Sequence, residues 1–218
     1  MIDELREHVG VFKIGFELFL NTGPSVLEIF QEEGLKVFFD GKFLDIPNTV
    51  ARACESIARR GVDMFTVHAS GGRKMLEAAS AAVRQESQSS RRAPALILGV
   101  TVLTSLSEAV LVDELNCRLS LSEQVVSLAM LCRDSGVTGI VASAAEVPVL
   151  RQALGQSMVL VTPGVRPAWS EANDQSRVVT PLQALRSGSD YLVIGRPITQ
   201  AVDRREAARR IVSEMEEV

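Results

Sequence analysis

The chain has 218 residues, 46% of them hydrophobic and 23% charged, and its 23 basic and 27 acidic side chains give a formal net charge of −4. This balance excludes a disordered tail, a collagen-like fibre and a disulfide-stapled miniprotein. The sequence has no long basic stripe, which argues against nucleic-acid binding, and no apolar run near the ~18 residues of a membrane span. The three cysteines are widely spaced, with no CxxC pair and no histidine at metal-ligand spacing, which predicts no cysteine metal site and a reduced, cytoplasmic protein.

Short apolar runs alternate with amphipathic stretches along the chain. The runs are nearly continuously hydrophobic and rich in β-branched residues, which predicts parallel strands covered on both faces. The predicted strands are Val11–Gly15, Lys36–Asp40, Met64–His68, Ala95–Thr101, Gly139–Ala142, Met158–Thr162 and Tyr191–Gly195. The predicted helices are Ile2–Val9, Pro24–Glu33, Asn48–Arg60, Gly72–Ser87, Ser120–Asp134, Ala145–Leu154, Pro181–Arg186 and Gln200–Glu216.

This alternation predicts an α/β fold in which right-handed crossovers join parallel strands. The first predicted helix has no strand ahead of it, and about seven strands follow. We therefore expect a single-domain TIM (β/α)8 barrel over residues 1–218 that lacks its first strand. Such barrels carry their functional residues at the carboxyl ends of the strands.

The strongest local feature is the segment VFFDGKFLDIPNT, Val37–Thr49. Asp40 and Lys42 lie two residues apart at the end of an apolar strand and so point to the same face, and Asp45 follows in the loop. Most D-x-K-x-x-D patterns are solvated surface charges. Charges at the inward face of a barrel are costly unless paired, and a lysine between carboxylates stays protonated. The segment therefore predicts a proton donor held beside concentrated negative charge.

Lys13 lies inside the apolar segment FKIGFELF, which is an uncommon place for lysine. Its side chain either extends along apolar surface to the barrel mouth or places its ammonium near Asp40.

Two late segments, TPGVRP at residues 162–167 and VIGRPIT at residues 193–199, follow the last two predicted strands. The corresponding loops of TIM barrels often bind phosphate. Gly195 allows close backbone approach to an anion, and Arg196 offers a planar fork for phosphate oxygens.

These segments, together with VHASGG at residues 67–72 and VTVLTS at residues 100–105, resemble the orotidine 5′-phosphate decarboxylase family. The resemblance covers nearly the whole chain, and the string D-x-K-x-x-D-I-x-N-T is its most specific part. It implies decarboxylation of orotidine 5′-phosphate to UMP, the last step of de novo pyrimidine biosynthesis, with neither metal nor organic cofactor.

The resemblance also implies roles for individual residues. Lys42 is the expected proton donor, and Asp40 and Lys13 complete a charged array in the same subunit. Asp45 and Thr49 are expected to enter the neighbouring subunit's site in a homodimer. The substrate-binding positions are Arg166, Gln175, Gly195 and Arg196 for the phosphate and Thr104 for the pyrimidine.

One feature departs from the family pattern. Its members usually begin one strand earlier, with a strand that ends in an aspartate, and nothing before Val11 matches that strand. We therefore expect either a start codon upstream of Met1 or a truncated, less stable and poorly active chain.

Two alternative functions stay open. One is a Mg²⁺-dependent sugar-phosphate decarboxylase or aldolase of the same superfamily, which lacks the continuation Ile46–Thr49; the other is a non-catalytic nucleotide-phosphate-binding protein.

Overall fold

A computed structural model describes residues 1–169 and 179–216. Its seven strands follow one another in the sheet in chain order, and the pairs for which a register is defined are parallel. This is the strand order of a TIM barrel, which confirms the fold class predicted from the alternating runs. The strands are β1 (Phe12–Gly15), β2 (Val37–Phe43), β3 (Met64–His68), β4 (Leu96–Val100), β5 (Gly139–Val141), β6 (Val159–Pro163) and β7 (Tyr191–Val193).

Helices connect the strands. The α-helices are α1 (Ile2–Leu5), α2 (Phe16–Thr22), α3 (Ser25–Glu32), α4 (Pro47–Arg59), α5 (Gly72–Ser90), α6 (Leu121–Asp134), α7 (Val147–Leu154), α8 (Pro181–Arg186), α9 (Arg196–Thr199) and α10 (Arg204–Met215). A 3₁₀ turn covers Ala69–Gly71, and a π-helical turn covers Val110–Glu114 in the connection after β4. None of the described helices combines the length and the apolar character that crossing a membrane requires.

Helix α2 is absent from the sequence-based prediction. Its residues FELFLNT continue the apolar pattern of β1, so the helix could not be separated from the strand by periodicity. The strand ends at Gly15, which caps α2 in an extended conformation, and α2 ends at Gly23 with φ of 70°. A side chain at Gly23 would be strained in this conformation.

Residues 11–140 form one compact unit, and the described residues of 1–10 and 141–218 form another. The core of the first unit contains fully buried side chains from four neighbouring strands, including Ile14, Val37, Phe65 and Leu98. Burial of each such side chain stabilises the fold by about 1.5–3 kcal/mol. The expectation of a single domain stays a prediction.

In the second unit an arginine whose side chain is 10% exposed links two strands. Arg151 donates hydrogen bonds to the carbonyl oxygens of Gly188 and Met158, both at 2.8 Å, and forms an ion pair with Asp190 at 2.6 Å. Asp190 also accepts a 2.7 Å hydrogen bond from the Leu160 N–H at the start of β6. These bonds hold the amino ends of β6 and β7 together, and so fix the strands whose opposite ends carry the predicted phosphate-binding residues.

Candidate active site

Strand β2 continues past the point at which the sequence predicted its end. The predicted strand stops at Asp40, whereas β2 runs to Phe43 and includes Gly41 and Lys42. The charged motif is therefore part of the sheet and not of the loop that follows it. Backbone held in a sheet gives side chains a more fixed direction than a loop does.

The pairing between β2 and β3 contains a bulge at this motif. Phe39 pairs with Phe65 and Phe43 pairs with Val67, and the register shifts between these two pairs. Three residues of β2 therefore stand opposite a single residue of β3, Thr66. Bulges of this kind redirect side chains and are frequent next to active sites.

The backbone within the bulge is strained. Lys42 has φ of 42°, in the left-handed region that side chains rarely adopt, and the strain costs on the order of 1–3 kcal/mol. The preceding residue must be glycine, because a Cβ on Gly41 would overlap the ring of Phe39. The Lys42 N–H donates a 2.8 Å hydrogen bond to Oγ1 of Thr66. The bulge thus fixes the direction of the Lys42 side chain at a cost that the surrounding packing offsets.

The structure brings Asp40, Lys42 and Lys13 together. Nζ of Lys42 lies 2.8 Å from Oδ2 of Asp40, and Nζ of Lys13 lies 3.5 Å from the same oxygen. Oδ1 of Asp40 accepts a 3.0 Å hydrogen bond from the Thr66 hydroxyl. The Asp40 side chain is 16% exposed and that of Lys42 is 30% exposed. One half-buried carboxylate therefore holds two ammonium groups at the carboxyl ends of β1 and β2.

The surroundings of Asp40 determine its ionisation. Burial acts to raise the pKa of the Asp40 carboxyl, but the hydrogen bond and charge of Lys42, the charge of Lys13 and the hydrogen bond from Thr66 outweigh it and hold the pKa below its usual range. Asp40 is therefore ionised at neutral and mildly acidic pH. Close by at the end of β3, burial and the charge of Lys42 lower the pKa of His68, against the opposing charge of Asp40. His68 is therefore neutral at pH 7.

Three other predicted residues are exposed on the same compact unit. Asp45 lies in the connection after β2, and its Oδ1 accepts a 2.6 Å hydrogen bond from the Ile46 N–H. Thr49 lies in the first turn of α4, and Thr104 lies in a turn after β4. Among the described residues, no hydrogen bond or ion pair joins the side chain of Asp45 or Thr49 to Asp40, Lys42 or Lys13.

Arg166 and Arg196 follow neighbouring strands of the second compact unit. Pro163 at the end of β6 pairs with Val193 at the end of β7. Each arginine stands three residues beyond its strand end, so both leave the same edge of the sheet. Arg166 is 4% exposed, and Arg196 begins α9.

Two further predicted positions complete the account of the phosphate-binding set. A Cβ built on Gly195 would meet no atom within 4 Å, so the backbone at this position faces open space. Gln175 lies outside the described residues.

Two groups near Lys42 were missed or set aside by sequence reasoning. Thr66 is a β-branched residue in a strand, where threonine is common, and no local signal separates it from an ordinary strand residue. His68 was visible at a strand end, but its sequence spacing marked no partner. Only the pairing of β2 with β3 reveals that both residues adjoin the charged cluster.

The described residues offer no evident metal site. Across 1–169 and 179–216 there is no group of three or more histidine, cysteine, aspartate and glutamate side chains placed to hold a metal ion. Cys54, Cys117 and Cys132 are free thiols. Burial raises the pKa of both Cys54 and Cys132 to about 12, so neither is a reactive thiolate at neutral pH.

Comparison with known proteins identifies the family. The model of the orotidine 5′-phosphate decarboxylase / HUMPS family matches residues 1–211. The chain is 50% identical over 218 residues to the orotidine 5′-phosphate decarboxylase of Moorella thermoacetica, an alignment that covers all of this chain and 86% of that protein. It is 48% identical over 217 residues to the enzyme of the same name from Heliobacterium modesticaldum, with 100% and 89% of the two chains covered.

Solved structures agree with this result. The crystal structure of orotidine 5′-phosphate decarboxylase from Lactobacillus acidophilus superposes with a TM-score of 0.83 and 39% sequence identity, over 93% of this chain and 85% of that one. The match extends over nearly the whole sequence, and its level of identity is far above that at which only a fold is shared. The chain therefore belongs to the orotidine 5′-phosphate decarboxylase / HUMPS family.

Proposed function

We propose that this chain converts orotidine 5′-phosphate to UMP and CO2, the last step of de novo pyrimidine biosynthesis, with Lys42 as the proton donor. Relatives that share about half of their residues with this chain are named for this activity. The single observation that supports the mechanism is the ion pair at 2.8 Å between Lys42 and Asp40 at the carboxyl end of β2.

The chemistry needs a fixed positive charge beside one carbon of the pyrimidine. When the bond from C6 to the carboxylate breaks, CO2 leaves and the electron pair stays on C6, where the ring offers no evident resonance sink. The Lys42 ammonium stabilises this charge by electrostatics and then transfers a proton to C6. The resulting neutral amine takes a proton from water, which restores the enzyme.

Asp40 contributes in two ways to this mechanism. Its carboxylate orients the Lys42 ammonium through a charge-assisted hydrogen bond from Nζ to Oδ2. It also places negative charge close to where the substrate carboxylate binds, and loss of CO2 relieves the repulsion. Lys13 at 3.5 Å from Asp40 extends the array.

The proposed enzyme is a homodimer in which Asp45 and Thr49 enter the partner's site. Both residues are exposed in the single chain. Two exposed apolar side chains lie on either side of Asp45 in the chain, Leu44 at 54% and Ile46 at 67% exposure. Neighbouring exposed apolar side chains are typical of surfaces that a second chain covers. The three free cysteines fit a reducing compartment, and we place the enzyme in the cytoplasm.

The direct test is turnover of orotidine 5′-phosphate by the purified chain in the presence of EDTA. We expect UMP formation that EDTA leaves unchanged, measured by the loss of ultraviolet absorbance of the substrate. Activity that EDTA removes and Mg²⁺ restores would favour a metal-dependent enzyme of the same superfamily. Binding of UMP without turnover would favour the non-catalytic alternative.

The phosphate group of the substrate is proposed to bind Arg166, Gln175, Gly195 and Arg196. Arg196→Ala is expected to raise KM by about 10- to 100-fold, because a hydrogen bond to a charged group contributes about 1.5–3 kcal/mol, while kcat changes much less. Steady-state kinetics measure both constants. Arg205→Ala, which removes an exposed arginine from α10, is the matched control and should leave KM unchanged. An unchanged KM in Arg196→Ala would remove Arg196 from the phosphate site.

A further inference from the structure

Thr66 is the one β3 residue opposite the three bulged residues of β2. Its side chain is almost fully buried, with 1% of the residue exposed. Its hydroxyl accepts a hydrogen bond from the Lys42 N–H at 2.8 Å and donates one to Oδ1 of Asp40 at 3.0 Å. A single oxygen atom therefore contacts both the backbone of the proposed proton donor and the carboxylate that pairs with it.

We propose that Thr66 is a positioning residue for decarboxylation, whose hydroxyl holds the Lys42 backbone and the Asp40 carboxylate in one fixed geometry. The inference rests on the proposed role of Lys42 and adds a residue from a different strand to it.

The first part of the argument concerns the backbone. In a regular parallel pair, a strand N–H donates to a carbonyl of the neighbouring strand. At the bulge, the Thr66 hydroxyl takes this place for Lys42, whose φ of 42° is unfavourable. If the hydroxyl is removed, the half-buried N–H loses this acceptor and the strained conformation loses one of the bonds that hold it.

The second part concerns the carboxylate. Lys42 and Lys13 both contact Oδ2 of Asp40, whereas Thr66 binds Oδ1. With both oxygens held, the carboxylate plane is fixed, and so is the direction from which it attracts the Lys42 ammonium. Without the hydroxyl, Oδ1 is released and the carboxylate can rotate, so that the ammonium moves away from the reacting carbon. Misplacement by about 1 Å can cost on the order of 100-fold in rate.

The chain offers a matched control for this substitution. Thr138, just before β5, uses its hydroxyl in the same way: Oγ1 accepts from the Ile97 N–H at 2.8 Å and donates to the Ile97 carbonyl at 3.0 Å. This pair lies at the amino ends of β4 and β5, away from the carboxyl strand ends that carry the charged cluster. Thr66→Val and Thr138→Val therefore each remove one such hydroxyl from the same compact unit. A third variant, Thr66→Ser, keeps the hydroxyl and loses only the methyl group.

We expect Thr66→Val to lower kcat by about 10- to 100-fold with little change in its affinity for UMP, on the scale of one unsatisfied buried group. Thr66→Ser should recover most of the rate. Thr138→Val should keep the wild-type kcat even where its melting temperature falls.

The pH dependence of kcat/KM is a second measurement, which a loss of folding stability alone would not shift. The pKa of Asp40, which Lys13, Lys42 and His68 face, rises when the Thr66 hydrogen bond is lost, so the acid limb of kcat/KM should shift to higher pH in Thr66→Val only.

The proposal is overturned if Thr66→Val keeps kcat within about twofold of wild type, if Thr66→Ser is as impaired as Thr66→Val, or if Thr138→Val loses the same fraction of the rate. Should Thr66→Val fail to fold, the smaller Thr66→Ala replaces it in the same comparison with Thr66→Ser. Lys42→Ala separates this outcome from failure of the proposed function. A fully active Lys42→Ala refutes the role of Lys42, whereas an inactive Lys42→Ala beside a fully active Thr66→Val refutes only the role of Thr66.

Discussion

Lys42→Ala is expected to lower kcat by at least about 10⁴-fold. The substitution removes the acid that protonates C6, and general acid catalysis supplies about 10²–10⁴-fold. It also removes the fixed charge that stabilises the carbanion, an electrostatic contribution of about 10²–10³-fold. Single-turnover assays at saturating orotidine 5′-phosphate, followed long enough to detect slow product formation, measure the residual rate.

Two controls show that such a loss is chemical. Affinity for UMP should remain measurable in Lys42→Ala, because the phosphate-binding residues follow β6 and β7 and are untouched. Lys36→Ala removes an exposed lysine just before β2, at the opposite end of the strand that carries Lys42, and should keep the wild-type rate. Turnover near the wild-type level in Lys42→Ala would mean that the Lys42–Asp40 pair does not perform the reaction.

The sequence predicted the main features of this site for reasons that lie within single strands. An apolar run that ends in Asp40 indicates a buried strand with a charged carboxyl end, and parallel strands place such ends together. For Lys13, one strand away, the residues alone left two positions open, the barrel mouth and the neighbourhood of Asp40, and its Nζ lies 3.5 Å from Oδ2 of Asp40. The strand order, which follows from the alternation of strands and helices, was predictable for the same reason.

The bulge was not predictable from local pattern. The spacing of Asp40 and Lys42 indicated a shared face in a regular strand, whereas the contact between them arises in an irregular one, with positive φ at Lys42. A bulge depends on which residue of the neighbouring strand lies opposite, and here that residue is Thr66, 24 positions away from Lys42. A pairing across such a separation leaves no periodic signal in either segment.

The roles of Asp45 and Thr49 are beyond what one folded chain can display. Both side chains are exposed, and their proposed function requires a second subunit. Mixing two inactive variants tests this arrangement. Lys42→Ala and Asp45→Ala should each be strongly impaired alone, yet recover about a quarter of the wild-type activity after the subunits are dissociated, mixed in equal amounts and reassociated, given random pairing in a two-fold dimer.

The recovery is expected because each proposed site takes Lys42 from one subunit and Asp45 from the other. In a mixed dimer, one site receives both substitutions, while the other combines a native Lys42 with a native Asp45 from the partner. Mixed dimers are about half of a random population, and each has one native site of two, so about a quarter of the wild-type activity is recovered.

Lys42→Ala mixed with Asp40→Ala is the matched control. These two residues pair within one chain at 2.8 Å, so every site in that mixture lacks one of them. If activity recovers only in the mixture of Lys42→Ala with Asp45→Ala, Asp45 acts across the interface. Equal results in the two mixtures, with hybrid dimers verified by native mass spectrometry, would place Asp45 in its own subunit's site, whereas a fully active Asp45→Ala would place it outside the site altogether.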